Sequence, residues 1–326
     1  MSILITGGAG YIGSHMVIAA LERGLDVVVL DNLSTGIRAL VADGAHFHQG
    51  HVGDQTFVRR LLNYYSITAV VHFAGSLIAP DSVRDPLAYY GNNTVASRSL
   101  IESCIAEGVK QFVFSSSALI YGPPLLGAMP ETTSRQPENP YGRSKLMTEW
   151  MLEDVSRAHD FRFVALRYFN VAGADPEGRT GQSNPRATHL IKRACQVALG
   201  RVPHLDIFGT DYPTPDGTGV RDYIHVSDLV DVHLLALDHL AKGGESMALN
   251  CGYGRGASVR EVIKAVSRVV GRELPSVESP RRPGDPPALI ADATRLTTDF
   301  GWRPKHDDLH EIIATAYEWE RRLNSA

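Results

Sequence analysis

Cysteine is scarce in this sequence. Cys104, Cys195 and Cys251 are the only three among 326 residues, odd in number and far apart. Such spacing makes neither a disulfide framework nor a zinc site, and it suits a reducing compartment. Long apolar runs are missing too: none approaches the ~18 residues that a membrane-spanning helix needs. The first apolar stretch starts at Ile3, which leaves no room for a secretion signal, so a cytoplasmic location is expected. Charge imbalance is slight, with 32 Lys and Arg against 36 Asp and Glu and a formal net charge of −4. Neither nucleic acid nor an anionic membrane is an expected partner for that composition. Histidine is plentiful at 13 residues, but none pair at metal-ligand spacing, so no metal is expected. There is no internal repeat and no low-complexity tract. The length allows one large or two moderate domains.

What the chain does have is a series of short apolar strands with helical segments between them. Candidate strands cover residues 2–6, 26–30, 68–73, 111–115 and 163–169. Near-continuous apolar strands alternating with helices imply a parallel sheet covered on both faces. Right-handed crossovers then give a doubly wound α/β (Rossmann) sheet, which binds ligands at the carboxyl ends of its strands. Small or polar residues stand at those ends: Gly7, Asp31, Ala74-Gly75, Ser115 to Ser117 and Asn170. After Asn170 the texture changes, with Gly-, Pro- and Asp-rich loops at 173–186, 209–222 and 279–288. Loops of that length are uncommon unless they are functional. The expected organisation is a dinucleotide-binding domain over 1–170 and a smaller substrate domain over 171–326. The second is expected to be discontinuous, with an amphipathic helix from Ile224 to Leu240 and neighbouring segments (about 224–251) packing back on the sheet.

The first strand runs into Gly7-Gly8-Ala9-Gly10-Tyr11-Ile12-Gly13, and a helix is expected from Tyr11 to Arg23, closing at Gly24. Glycines in such a turn let the backbone approach a pyrophosphate, while the helix N-terminus presents N–H groups and positive dipole to it. An ordinary tight βα turn would share the motif, but Asp31 closes the second strand, where an acid accepts hydrogen bonds from an adenosine ribose. An acid there repels a 2′-phosphate, so the expected cofactor is NAD rather than NADP.

Tyr141-Gly142-Arg143-Ser144-Lys145 adds a proton-transfer device. Pro140 fits the first position of a helix, which puts Tyr141 in the first turn and Lys145 four residues on, along the same face. A free phenol with a pKa near 10 is a poor base at neutral pH. An ammonium ~6 Å away at an effective dielectric of ~20 favours tyrosinate by roughly 3 kcal/mol, about two pKa units. Ser117, at the end of the preceding strand, is the hydroxyl placed to share a substrate proton.

These motifs resemble the extended short-chain dehydrogenase/reductase family, and over nearly the full length they are similar to its members that epimerise UDP-hexoses at C4. The resemblance rests on His72 to Gly75, Tyr89 to Asn93, Arg167 to Asn170, the long run from Phe208 to Val226, and Pro280 to Asp285. It implies an NAD-dependent isomerase working through a transient 4-keto sugar, with Tyr141 as tyrosinate, Ser117 and Lys145 forming the catalytic trio. It further implies cofactor contacts from Gly7, Gly10, Tyr11, Ile12, Gly13, Asp31, Asn32, Val52, Phe73, Ala74, Gly75, Asn92, Tyr141, Lys145 and Tyr168. Substrate contacts would come from Ser117, Tyr141, Asn170, Leu190, Phe208, Arg221, Arg282 and Asp285, with the two arginines suited to a diphosphate. A homodimer through helices near 86–108 and 140–159 is implied as well.

The chain departs from the family pattern at four places. His51 replaces an acid that faces adenine, Leu77 replaces a lysine that meets the cofactor, and Thr188-His189 stands for an Asn-Asn pair. Leu289 occupies the position where bulk excludes N-acetylated sugars. Related dehydratases place an acid after the strand-four hydroxyl because eliminating water needs another proton donor; here Ala118 follows Ser117. Epimerisation of UDP-xylose/UDP-arabinose or of UDP-glucuronate is the alternative reading. A net alcohol dehydrogenase and a non-catalytic NAD-sensing protein stand further off.

Overall fold

A computed structural model describes residues 1–122, 127–282 and 285–323. Pro283 and Gly284 of the Pro280 to Asp285 segment lie outside the described residues. In chain order the first part carries β1 (Ser2–Thr6), α1 (Tyr11–Glu22), β2 (Asp26–Asp31), β3 (His46–Gln49), α2 (Gln55–Tyr64) and β4 (Ala69–His72). Then come α3 (Ala79–Arg84), α4 (Pro86–Tyr89), a π-helical turn (Tyr90–Val95), α5 (Ala96–Ala106), β5 (Gln111–Ser117), α6 (Pro140–Ala158) and β6 (Arg162–Tyr168). The later part holds β7 (Asn170–Ala172), α7 (Leu190–Ala198), β8 (Leu205–Phe208), β9 (Val220–Arg221), β10 (Tyr223–His225), α8 (Val226–Ala241) and β11 (Met247–Cys251). It ends with β12 (Ala257–Ser258), α9 (Val259–Val270), β13 (Ser276–Ser279), β14 (Ala288–Leu289), α10 (Thr294–Asp299) and α11 (Leu309–Arg322).

Two compact units divide the chain. The first combines residues 1–122, 134–168 and 230–249; the second takes 127–133, 169–229 and the described residues from 250 onward. The first unit is built on one seven-stranded sheet in the order β11-β6-β5-β4-β1-β2-β3. The pairings among β1 to β6 are all parallel. The order reverses between β1 and β4, and a crevice for a ligand opens at such a reversal, beyond the strand ends. Ile3, Leu4, Ile5, Val27, Val28, Val29, Val70 and Val71 are fully buried, as strands covered on both faces require. On one face Leu4, Val28, Val70, Phe112 and Phe114 pack with Val58 and Leu62 of α2, Leu100 and Cys104 of α5 and Leu152 of α6. Each such buried side chain contributes roughly 1.5–3 kcal/mol.

The second unit has short strands instead: β7 with β10, β8 with β13, and β9 between β12 and β14. Its core is helical. Ile191, Cys195, Val262, Val266, Ile312 and Ile313 bring α7, α9 and α11 together. Here α9 starts at a reciprocal capping box between Ser258 and Glu261 and stops at Gly271.

The structure corrects two local expectations. Ile224 and His225 do not open a helix: they belong to β10, paired with Val171 and Ala172, and the helix starts at Val226. The β-branched Ile224 and aromatic Tyr223 suit a strand, and the apolar periodicity of the following helix masked the boundary. The helix expected over the 86–108 region is broken in register by the π turn at Tyr90–Val95. The short edge strand β3 gave no apolar signal, since two of its four residues are histidines and one is glutamine.

Candidate active site

The crevice starts at the turn after β1. Gly7 holds φ +73°, and a Cβ there would stand 2.7 Å from the backbone nitrogen of Ala74. The turn therefore closes directly against the segment that follows β4. Helix α1 then begins after Gly10 with no side-chain cap and no acid in its first turn, Tyr11-Ile12-Gly13. Helices α2, α6, α9 and α11 all have capping side chains, from Asp54, Asn139, Ser258 and Asp308. An uncapped N-terminus facing a Gly-rich turn suits an anion, as the diphosphate of NAD requires. Asp31, buried at the end of β2, accepts from the backbone nitrogens of Ala9 at 3.0 Å and Leu33 at 2.8 Å. Each carboxylate oxygen keeps a further lone pair for a ribose hydroxyl. Asn32 turns its side chain into the local loop, accepting from Ser34 N–H. Val52 is spent on the core, so only its backbone is available to a cofactor.

The π turn organises the neighbouring edge. Asn93, almost wholly buried, accepts from Ser76 N–H at 2.7 Å and donates to the Ser76 carbonyl and to Ser144 Oγ, each at 3.0 Å. Asn92 donates to Ser76 Oγ at 2.9 Å and meets His51 Nε2 at 3.3 Å. The Phe73-Ala74-Gly75-Ser76 segment is thus fixed by two successive amides. Beneath it His72 is part of an oriented chain. Ser97 donates to the Asn93 carbonyl and so accepts from His72 Nε2–H at 2.8 Å, which leaves Nδ1 to accept from Thr6 Oγ1 at 2.6 Å. Burial, and then the charge of Lys145, lower the His72 pKa to about 3, so the ring stays neutral.

Ser117, Tyr141 and Lys145 come together at the end of β5. Asn139 caps α6 by accepting from Gly142 N–H at 2.9 Å, and Pro140 occupies its first turn. A Cβ at Gly142 would stand 2.1 Å from the Leu119 carbonyl oxygen, so only glycine lets α6 come this close to the turn beyond Ser117. Ser82 Oγ accepts the amide proton of Tyr141 itself, at 3.1 Å. Ser117 is the neighbour that favours ionisation of the Tyr141 phenol, and its Oγ accepts from Leu119 N–H at 3.1 Å. The Lys145 ammonium lies 6.0 Å from the centre of the Tyr141 ring and donates to the Ser115 carbonyl at 2.8 Å.

That separation matches the spacing argument, but its electrostatic consequence needs correction. Burial pushes the Tyr141 phenol up to about 12, with Ser117 acting in the opposite direction. The buried Lys145 is pushed down to about 8. The cost of taking either charge out of water is the leading cause at both groups, and at Tyr141 it favours the neutral phenol. Tyr168 and Phe73 both pack on His233, which also hydrogen-bonds with the Tyr168 hydroxyl.

In the second unit Phe208 ends β8, and the Arg282 guanidinium lies over its ring, 3.7 Å from the centroid. Arg221 of β9 donates to the Val220 carbonyl at 2.8 Å and faces Leu289 of β14 in register. Asn170 donates its amide proton to the Asp222 carbonyl at the start of β7. Arg282 and Asp285 are exposed, and Leu190 packs on the helical core rather than offering a polar group. Sequence reasoning missed Glu149 and His233, and it read His72 and Asn93 only as members of the resemblance motifs, with no role in the site. A charged or ring-nitrogen residue inside an apolar or helical run was the signal in each case except Asn93, which is one of a pair.

Residues 3–252 match the family model described as the NAD dependent epimerase/dehydratase family. The chain is 53% identical to a UDP-glucose 4-epimerase of Azospirillum brasilense, an alignment that covers 99% of this chain and 93% of that one. A crystal structure of a UDP-glucose 4-epimerase superposes with a TM-score of 0.96 at 44% identity, over 99% of this chain and 98% of the other. Another, from Brucella ovis in complex with NAD, gives 0.94 at 43% identity over 98% of each chain. An uncapped βα turn, a ribose-ready acid and a hydroxyl–phenol–ammonium set at one sheet edge agree with these likenesses: the chain belongs to the NAD-dependent epimerase/dehydratase family and, within it, to the UDP-glucose 4-epimerases.

Proposed function

We propose that this enzyme interconverts UDP-galactose and UDP-glucose, with Tyr141 as the acid/base, Ser117 as its hydrogen-bonding partner and Lys145 as the cation that favours its ionised form. The activity is NAD-dependent 4-epimerisation of a UDP-hexose. Bound NAD+ supplies the acceptor and donor of the C4 hydride and a positive charge that favours ionisation of a nearby phenol. Tyr141 takes the proton of the sugar 4-hydroxyl and, once the transient 4-keto sugar has presented its other face, returns it. Burial keeps the phenol neutral until charge arrives, so proton transfer is tied to a loaded site. Asp31 suits the adenosine ribose, and Gly7, Gly10 and Gly13 the diphosphate of the cofactor. Phe208 suits the uracil, Arg221 and Arg282 the substrate diphosphate, and Asn170 and Asp285 the sugar hydroxyls.

The observation that carries this reading is that Ser117 at the end of β5 acts to lower the pKa of the Tyr141 phenol, with Lys145 6.0 Å from the centre of the same ring. Proton NMR of UDP-galactose with the purified protein tests it, with and without added NAD+. Appearance of UDP-glucose with no accumulating NADH supports it; lasting NADH or an unchanged spectrum contradicts it. The similarity to glucose-named enzymes leaves the UDP-xylose/UDP-arabinose and UDP-glucuronate readings second.

The same reading makes the protein a homodimer. Support comes from Leu87 of α4, Val95 of the π turn and Trp150 of α6, which are 78%, 57% and 48% exposed, an apolar set suited to a second copy. Light scattering that shows only monomer at micromolar concentration would contradict it. A cytoplasmic role in galactose use is favoured by three buried cysteines with no disulfide among them. No helix among the described residues is long and apolar enough to cross a membrane.

A further inference from the structure

Among the buried charged groups that the proposed chemistry does not use is Glu149 of α6, 1% exposed. It follows Lys145 by one helical turn, as Lys145 follows Tyr141, so the three carry one stripe of the helix. Its carboxylate accepts from Ser116 Oγ at 2.5 Å. It also accepts from Arg167 twice, through Nε at 3.1 Å and Nη2 at 2.8 Å. Arg135, from the segment leading into α6, stands 3.5 Å away and pairs with Glu153. Arg167 itself is 3% exposed and donates to the Tyr121 hydroxyl at 2.9 Å.

The register explains why this matters. Ser116 pairs with Arg167, and Ser117 with Tyr168, across β5 and β6. Strand alternation sends the two successive pairs to opposite faces, the partners of each pair sharing one face. Ser116 and Arg167 meet Glu149 on the α6 face, while Tyr168 meets His233 of α8. Glu149 thus bonds to both β5 and β6, through Ser116 and Arg167. Lys145 bonds only to the backbone carbonyl of Ser115, one residue further back.

We propose that Glu149 is a positioning residue, setting the height of α6 against β5 and β6 and hence the reach of Tyr141 to Ser117. It touches neither substrate nor cofactor; it acts through Ser116 and Arg167. A buried ion pair of this kind is weak evidence for stability, because desolvation offsets most of its attraction, whereas it does fix a geometry. The proposal rests on the epimerase reading of the same site.

Two variants test it. Glu149→Gln keeps an acceptor for Ser116 but leaves Arg167 without its counter-charge and risks poor folding. Ser116→Ala keeps the ion pair and removes only the bond to β5. For each, kcat per NAD-binding site, the KM for UDP-galactose and the NAD+ affinity by fluorescence titration are compared with the unaltered enzyme. Glu149→Gln is expected to lower kcat about a hundredfold, the cost of displacing reacting groups by about an ångström, with KM and NAD+ affinity little changed. Ser116→Ala is expected to lose kcat in the same pattern and to a smaller extent. A structural role alone would lower the melting temperature and the number of competent sites but leave kcat per site intact, and that result in Ser116→Ala would overturn the proposal. If the unaltered enzyme does not epimerise UDP-galactose, the substrate reading falls and this inference with it. Unaffected variants of an active enzyme overturn the inference alone.

Discussion

The two units hold their candidate functional residues in different ways. In the first, side chains at the strand ends are buried and tied by hydrogen bonds running from one element to the next. Thr6, His72, Ser97 and Asn93 form one chain; Ser116, Glu149 and Arg167 form another. In the second, Arg282 and Asp285 are exposed and Arg221 donates to the carbonyl of its own neighbour, Val220. The contrast fits the reaction. Proton transfer needs groups fixed within fractions of an ångström, so it is built where parallel strands leave little freedom. A sugar that must present both faces needs a firmly held nucleotide and a loosely held ring; the half-buried Arg221 and the exposed Arg282 are the residues proposed for its diphosphate.

Substitutions should separate the units sharply. Tyr141→Phe removes the phenolic proton and should lower kcat by about 10³-fold, within the range that general acid–base groups supply, with NAD+ binding retained. Steady-state kinetics alongside a cofactor titration checks both parts. Phe208→Ala should act on the other side, raising the KM for UDP-galactose about tenfold to a hundredfold at little cost in kcat, since stacking on a base contributes about 1–3 kcal/mol. A fall in kcat as large as that of Tyr141→Phe would erase the distinction between the units. Asp31→Ala should chiefly relax the preference for NAD over NADP, by loss of repulsion toward a 2′-phosphate. Comparing the dissociation constants of the two cofactors reads this directly.

Stability should depend on pH with opposite sign at the two units' buried charges. Lys145 is depressed to about 8, so between there and the ordinary lysine value the unfolded chain binds the extra proton and stability rises with pH. Asp222, fully buried, is raised to about 6 despite accepting from the backbone nitrogens of Tyr253, Gly254 and Ala291. Its contribution is therefore complete below the ordinary carboxylate value and lost as pH rises through about 6. Denaturant unfolding followed across pH should lose the upper rise in Lys145→Met and the lower fall in Asp222→Asn. These are the smallest effects expected.

Much of the first unit could be read from sequence because its physics is local. Period-free apolar runs such as Val27 to Leu30 mean buried parallel strands, and the glycines after β1 mean a backbone turn. The Tyr141–Lys145 spacing gave a distance that the fold reproduces, because one helical turn fixes it. It did not give the ionisation, because burial of the phenol comes from residues far away in sequence. Glu149 and His233 escaped for the same reason: their partners, Ser116 and Arg167 for one and Tyr168 for the other, lie 18 to 65 positions away. In the second unit strands of two to four residues carry no periodicity to read, and β10 was lost inside a helical pattern.

The most direct test of the account is the fate of the hydrogen on C4. UDP-galactose is incubated with the enzyme and NAD+ in deuterated water, and the UDP-glucose formed is examined by proton NMR. Hydride transfer out and back, with only the hydroxyl proton passing through Tyr141, predicts that C4 keeps its protium throughout. Deuterium at C4 would mean that the hydrogen leaves as a proton, and would contradict the mechanism proposed for this site.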